Sequence, residues 1–307
     1  MLAVVTGGAG FIGSHLVDEL IFAGHKVHVI DDLSGGAKDH VHPEAVLHTL
    51  DIRSPEIQDV LADVKPHAVF HQAAQVDVPR SLKDPAHDAG VNILGTLNLI
   101  RASAESGVQK FIYASSCAVY GDINTDLIDE SAPVAPISFY GISKLTPEAY
   151  LRVFHALRGL RFTILRYANV YGPRQTAKGE GGVVALFLDR IRQGLPPVIH
   201  GDGEQTRDFV YVKDVARANV AAWLRGDNET VNVSTAVGTS VNQLLARIAG
   251  IHGSGINTIS APPRAGDIRH SCLDNRKARA ALGWSPRYSM GQGLAETYTH
   301  VMPQKEA

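Results

Sequence analysis

The sequence predicts an α/β protein in which a doubly wound parallel sheet, covered by helices on both faces, carries a smaller C-terminal α/β lobe. Three observations support this. Short apolar runs alternate with helical-length segments through residues 1–171, the β-α-β rhythm of a parallel sheet. The first run leads directly into a glycine-rich turn at the head of a helical segment, the Rossmann-type arrangement. The composition then changes at the Gly-rich stretch Gly172–Gly182, where a second lobe is expected to begin.

In chain order, Leu2–Thr6 reads as a strand and Phe11–Ala23 as the helix after it. Val27–Ile30, Val46–Leu50 and Ala68–His71 read as further strands, followed by a long helical stretch from Asp88 to Ser106 and a strand at Lys110–Ala114. A helix around Ser138–Arg158 and a strand at Arg161–Arg166 complete the first unit. Thr146-Pro147-Glu148 interrupts that last helix, because proline removes the bond to the Ser143 carbonyl and costs ~3 kcal/mol in a helix interior. Either the helix kinks just after Lys144, or Thr146 caps a new one with Pro147 at its first position. Strands at Phe209–Val212 and Thr230–Val233 suggest that the chain returns to the first lobe around 208–235, leaving 172–307 mainly to the second.

With 307 residues, 45% hydrophobic and 20% charged, the chain can bury a large core. Its 29 basic and 31 acidic residues give a net charge of -2, so no overall field favours nucleic acid or an anionic membrane, and a small molecule is the expected partner. Met1 runs straight into the first strand without a basic region, a long apolar core or a cleavage site, and no stretch approaches the roughly 18 apolar residues of a membrane span. Two cysteines make no disulfide framework, so a reducing cytoplasm is the expected compartment. His67 and His71 stand four apart in a strand-like run, where that spacing gives no shared ligand face, and no metal is expected.

The turn after the first strand, Gly7-Gly8-Ala9-Gly10-Phe11-Ile12-Gly13, satisfies both G-x-G-x-x-G and G-x-x-G-x-x-G. Glycines there permit a tight turn and let backbone N–H groups at the helix start approach a pyrophosphate. Asp31 follows Gly13 by 18 residues, close to the ~20 at which a carboxylate meets the adenosine ribose hydroxyls. A carboxylate would repel the extra phosphate of NADP, and no arginine follows in Asp32-Leu33-Ser34-Gly35-Gly36, so NAD is the expected cofactor. The plainer alternative is that Asp31 or Asp32 caps the next segment. Asp51-Ile52 would likewise either touch the adenine or start a helix.

Tyr140 and Lys144 stand four apart, on one face if the segment is helical, and follow the hydroxyl-rich strand end Ala114-Ser115-Ser116-Cys117. Lowering a phenol pKa from about 10 by ~3 units requires about 4 kcal/mol of preference for the phenolate. One ammonium at ~4 Å supplies about that much at an effective dielectric near 20. Tyr140 would therefore accept a proton from a substrate hydroxyl as hydride leaves the carbon, with Ser116 bonded to the same oxygen.

With the loop, the strand-end serine and the Tyr/Lys pair in hand, the chain resembles an extended short-chain dehydrogenase/reductase, and most closely the UDP-glucose (UDP-galactose) 4-epimerase family, from the glycine loop to Ser285. The resemblance implies Ser116, four residues before Tyr120 of Val119-Tyr120-Gly121, together with Tyr140 and Lys144, as the catalytic set. It implies cofactor contacts from Gly7, Gly10, Phe11, Ile12, Gly13, Asp31, Asp32, Asp51, Ile52, the segment Gln72-Ala73-Ala74-Gln75, Asn92 and Tyr167, besides Tyr140 and Lys144. On the substrate side, next to Ser116 and Tyr140, it implies Asn169 at the diphosphate, Val183 in the second lobe, Arg207 and Arg264 on phosphate, Asp267 on the uridine ribose and Ser271 beside the sugar.

Related 4,6-dehydratases carry two acids after the strand-end hydroxyl, where this chain has Cys117 and Ala118, so elimination lacks its proton carriers and 4-epimerisation remains. Where hexose-restricted bacterial members have a bulky tyrosine, Ser271 leaves room for an acetamido group, implying UDP-N-acetylhexosamines as well as simple UDP-hexoses. A UDP-uronic acid 4-epimerase and a nucleotide-sugar reductase are the nearest rivals; a non-catalytic NAD-sensing regulator would need neither the Tyr/Lys pair nor the arginine anchors. The resemblance also implies a homodimer through the helices around Asp88–Ser106 and Ser138–Arg158, whose apolar faces could equally pack on the sheet.

Overall fold

The computed structural model describes residues 1–123, 125–177, 182–263 and 268–302. The chain begins β1 (Leu2–Thr6), α1 (Phe11–Phe22), β2 (Lys26–Asp31), β3 (Val46–Thr49), α2 (Ile57–Val64) and β4 (Ala68–His71). Next come α3 (Val78–Lys83), α4 (Pro85–Ala89), a π-helical segment at Gly90–Gly95 and α5 (Thr96–Glu105), then β5 (Lys110–Ser116), α6 (Phe139–Arg158) and β6 (Arg161–Tyr167). Beyond it lie β7 (Asn169–Tyr171), α7 (Val183–Arg192), β8 (Val198–His200), β9 (Thr206–Tyr211), α8 (Val212–Leu224) and β10 (Glu229–Val233). The last stretch is β11 (Gly238–Ser240), α9 (Val241–His252), β12 (Ile259–Ala261), β13 (His270–Ser271), α10 (Arg276–Leu282) and α11 (Met290–Val301).

Seven strands form one parallel sheet in the order β10-β6-β5-β4-β1-β2-β3. Its strands are apolar on both sides, as burial between two helical layers demands. Ala3 and Val5 of β1 point into one core with Leu16, Val17 and Leu20 of α1, while Val4 between them enters the other with Ile57 and Leu61 of α2. β5 repeats the alternation: Ile112 and Ala114 on the first side, Phe111 and Tyr113 on the second. Each fully buried aliphatic side chain contributes roughly 1.5–3 kcal/mol, so a one-residue register slip would invert the whole pattern.

After β9, α8 packs along α1 and β10 joins the large sheet by pairing with β6. β9, in contrast, stays in a small sheet with β7, β11 and β13, and Val212 begins α8 rather than ending a strand. A third core lies around Phe187, Leu188, Phe209 and Leu244, and Phe11 at the head of α1 joins it, so the end of the glycine loop is packed against this core as well.

α6 runs unbroken from Phe139 to Arg158 with Pro147 inside it, so no new helix starts at Thr146. Ser138 caps it by accepting the Gly141 N–H at 3.1 Å. Proline leaves the Ser143 carbonyl without its helical partner, but side chains secure the carbonyls on either side: Thr146 Oγ1 donates to Ile142 O at 2.9 Å and Tyr113 OH to Lys144 O at 3.1 Å. His67 and His71 part company, the first accepting the Leu2 N–H and the second buried between Thr6 and Thr96. Among the described residues no helix is long and apolar enough to cross a membrane.

Candidate active site

The strand order reverses between β1 and β4, and a cleft of about 450 Å³ opens there at the carboxyl ends of the strands. The glycine loop forms its floor. Gly7 has φ +68°, and a Cβ on it would lie 2.6 Å from the Ala73 nitrogen; a Cβ on Gly13 would overlap the Gly7 carbonyl. Gly10 ends the loop as the N-cap of α1 without any side-chain cap, so the first N–H groups of a twelve-residue helix face the cleft beside Phe11 and Ile12. That donor set and the absent side chains fit a pyrophosphate.

At the end of β2, buried Asp31 accepts the Ala9 N–H at 2.9 Å and the Leu33 N–H at 2.8 Å, which ties it to the glycine loop. Burial raises its pKa against these two bonds. Its carboxylate lines the cleft and retains lone pairs for ribose hydroxyls. Asp32, Asp51, Ile52, Gln72, Ala73, Ala74 and Tyr167 line the same cleft, with Asp51 held by a bidentate Arg53. These features fit NAD: backbone donors for phosphate, a carboxylate for the ribose and an apolar wall.

Facing this cradle, Ser116 ends β5, its Oγ accepting the Ala118 N–H at 3.2 Å, and Tyr140 reaches the cleft from the first turn of α6. Lys144, one turn on, is buried, with its ammonium 4.9 Å from the centroid of the Tyr113 ring. Burial lowers its pKa to about 8, opposed by the charges of Asp88 and Glu148. His71, also beside Lys144, is pushed down to about 3 by burial and by the ammonium, so it is a neutral hydrogen-bonding strut between Thr6 and Thr96. A hydroxyl and a phenol at the cleft wall with a buried lysine behind can withdraw and return a proton at one substrate oxygen.

Not every expected residue lies on the cleft. Gln75 and Asn92 sit behind its wall: Asn92 Oδ1 accepts the Gln75 N–H at 2.9 Å, and Asn92 Nδ2 donates to Ser143 Oγ at 3.0 Å. From β7 and the head of α7, Asn169 and Val183 line the cleft, and the small sheet aligns Asn169 with Phe209 and Ser271 with Arg207. Arg264 and Asp267 lie outside the described residues. Arg53, Arg80 and His87, three cleft residues with basic side chains, escaped the sequence reading. Arg53 directly follows Asp51-Ile52 and could have been found from that spacing, whereas Arg80 and His87 arrive through the fold alone.

Fold and cleft together define a Rossmann-type dinucleotide-binding protein whose cleft is lined by Ser116 and Tyr140, with Lys144 buried behind them. Comparison with known proteins narrows the class. Residues 3–234 match the NAD dependent epimerase/dehydratase family, and the chain belongs to it. It is 42% identical to the UDP-glucose 4-epimerase of Mycolicibacterium smegmatis, with 97% of each chain covered. The crystal structure of UDP-glucose 4-epimerase from Thermotoga maritima, solved with UDP-glucose, matches at TM-score 0.95 and 45% identity over 98% of both chains. A UDP-N-acetylglucosamine 4-epimerase from Methanobrevibacter ruminantium M1, in complex with UDP-N-acetylmuramic acid, matches at TM-score 0.93 and 36% identity over 97% of each.

Proposed function

We propose that this chain is an NAD-dependent UDP-sugar 4-epimerase acting on UDP-glucose and UDP-galactose and on their N-acetylated counterparts. The observation that carries the reading is the cleft itself: a pyrophosphate cradle on one wall, with Ser116 and Tyr140 on the other and Lys144 buried behind them. Bound NAD would supply a reversible hydride acceptor, so that C4 of the sugar is oxidised to a ketone and reduced again without net redox change.

Tyr140 takes the proton of the C4 hydroxyl and gives it back after the 4-keto sugar has turned over in the site. Lys144 supports the phenolate by its charge, and Ser116 donates a hydrogen bond to the same oxygen. Asn169, Arg207, Arg264 and Asp267 hold the nucleotide and diphosphate, while the sugar is left free to present either face. Cys117 and Ala118 offer no acids for eliminating water, which favours epimerisation over dehydration. Gly7, Gly10, Gly13, Asp31 and the Gln72–Ala74 segment hold the cofactor.

Acceptance of an acetamido sugar is supported by the small side chain of Ser271, adjacent in register to Arg207, and by likeness to a UDP-N-acetylglucosamine 4-epimerase. A homodimer belongs to the same reading. Ile142, Tyr150, Val153 and Leu157 of α6 form an exposed apolar stripe at helical spacing, and Leu94 is exposed on the neighbouring helix. Two free cysteines, Cys117 and Cys272, suit a cytoplasmic enzyme.

The specificity is tested by Ser271→Tyr, assayed for interconversion of both substrate pairs by product analysis. The bulky ring is expected to abolish turnover of UDP-N-acetylglucosamine and to spare UDP-galactose. Undiminished activity on the acetamido sugar would remove Ser271 from the pocket argument.

A further inference from the structure

Behind the Tyr140/Lys144 wall lies a carboxylate to which the mechanism gives no task. Asp88, at the end of α4, is 1% exposed and forms no ion pair within 4 Å among the described residues. Its Oδ1 accepts from Gln75 Nε2 at 2.8 Å and from Asn92 Nδ2 at 3.3 Å. Asn92 in turn donates to Ser143 Oγ at 3.0 Å, and Ser143 Oγ donates to the Tyr140 carbonyl at 3.0 Å. A continuous buried chain thus runs from Asp88 to the helical turn that carries Tyr140 and Lys144. The π-helical segment makes it possible by seating Asn92 between α4 and α6.

A buried carboxylate held only by neutral amides is costly unless a cation lies within electrostatic reach. Lys144 is that cation: the charge of Asp88 is the largest influence opposing the effect of burial on it. The other groups around Lys144 are committed. Glu148, on the same helix, is gripped by Arg166 at 2.6 and 3.0 Å and also accepts from Ser115 Oγ. His71 of β4 is neutral, burial keeps Tyr113 of β5 a neutral phenol, and Tyr140 is the partner in catalysis. Arg166 of β6 is neutralised by Glu148.

Resting on the reading of Tyr140 and Lys144 as the proton-transfer pair, we propose that Asp88 is a positioning residue: its buried negative charge keeps Lys144 an ammonium during turnover, and its hydrogen bonds through Asn92 and Ser143 keep the Tyr140 turn in register.

The test compares wild type with Asp88→Asn, which preserves shape and the acceptor for Gln75 and Asn92 but removes the charge. Two quantities are read: the pH profile of kcat on UDP-galactose, and the ¹³Cε titration of the lysines, with Lys144 assigned by its loss in Lys144→Met. The alkaline limb of kcat and the Lys144 midpoint are both expected to move down by about one pH unit while NAD stays bound. Asp88→Ser, which also removes the charge, is expected to do the same. If whichever variant retains NAD shows an unmoved limb and midpoint, or if neither retains NAD so that Asp88 serves the fold instead, the proposal is overturned. Wild type that fails to interconvert UDP-sugars would instead overturn the epimerase reading, a separate outcome.

Discussion

The two walls of the cleft are built on different principles. The cofactor wall is backbone: Gly7, Gly10 and Gly13 lie within seven consecutive residues, and what matters is the missing Cβ atoms and the free N–H groups of α1. The wall we propose as catalytic is side chain, assembled from α4, the π segment, β4, β5, α6 and β6. Ser116 and Tyr140 stand at its front, on the cleft. Behind stand Lys144, Asp88, Asn92, His71 and the Glu148–Arg166 pair, all buried. A backbone site tolerates little substitution but needs no charge balance. A side-chain site of this kind depends on each buried charge being answered by another, so single changes there should act on function or stability through electrostatics.

Three positions, Tyr140, Glu148 and His71, put that contrast to the test. The largest effect is expected at the front of the catalytic wall: Tyr140→Phe should lower kcat by about 10²–10⁴-fold while NAD, held by the opposite wall, still co-purifies. Retained activity would remove Tyr140 from its role. Next, Glu148→Gln strips Arg166 of its counter-charge in a buried site and should cost about 3–5 kcal/mol in a denaturant melt, with Arg166→Met in the same background recovering part of it. A loss within experimental error would mean that water or another acid compensates.

The smallest effect is a pH dependence of stability. His71 and His15 have folded pKa values near 3 and 4, both lowered by burial from 6.5. At pH 5 the unfolded chain binds protons at these histidines and the folded chain does not, so their contribution is complete above 6.5 and declines as pH falls towards the folded values. His71→Gln should flatten the stability–pH curve between about 6.5 and 3; a slope identical to wild type would contradict the assignment of His71 as a neutral strut.

The same contrast explains what could be read in the sequence. That the glycine loop and Asp31 meet at one place was legible because both belong to one β-α-β unit with fixed spacing. Ser116, Tyr140 and Lys144 were legible because each stands at a fixed distance from a strand end or within one helical turn. Asp88 was not, since an acid near a helix end reads as ordinary capping until the fold buries it beside Lys144. Pro147 misled in part: the sequence offered a new helix at Thr146, whereas Tyr113, 31 residues before Lys144 in sequence, secures the helix across the gap. Strands of two or three residues such as β7, β11 and β13 carry no periodic signal and exist because β9 offers them an edge.

The central claim, transient oxidation at C4 with return to the same carbon, is tested most directly by isotope. UDP-galactose deuterated at C4 is incubated with the purified enzyme without added NAD, and the UDP-glucose formed is analysed by mass and NMR. Interconversion is expected with the deuterium retained at C4. Loss of the label to solvent, or NADH accumulating in step with oxidised sugar, would contradict it.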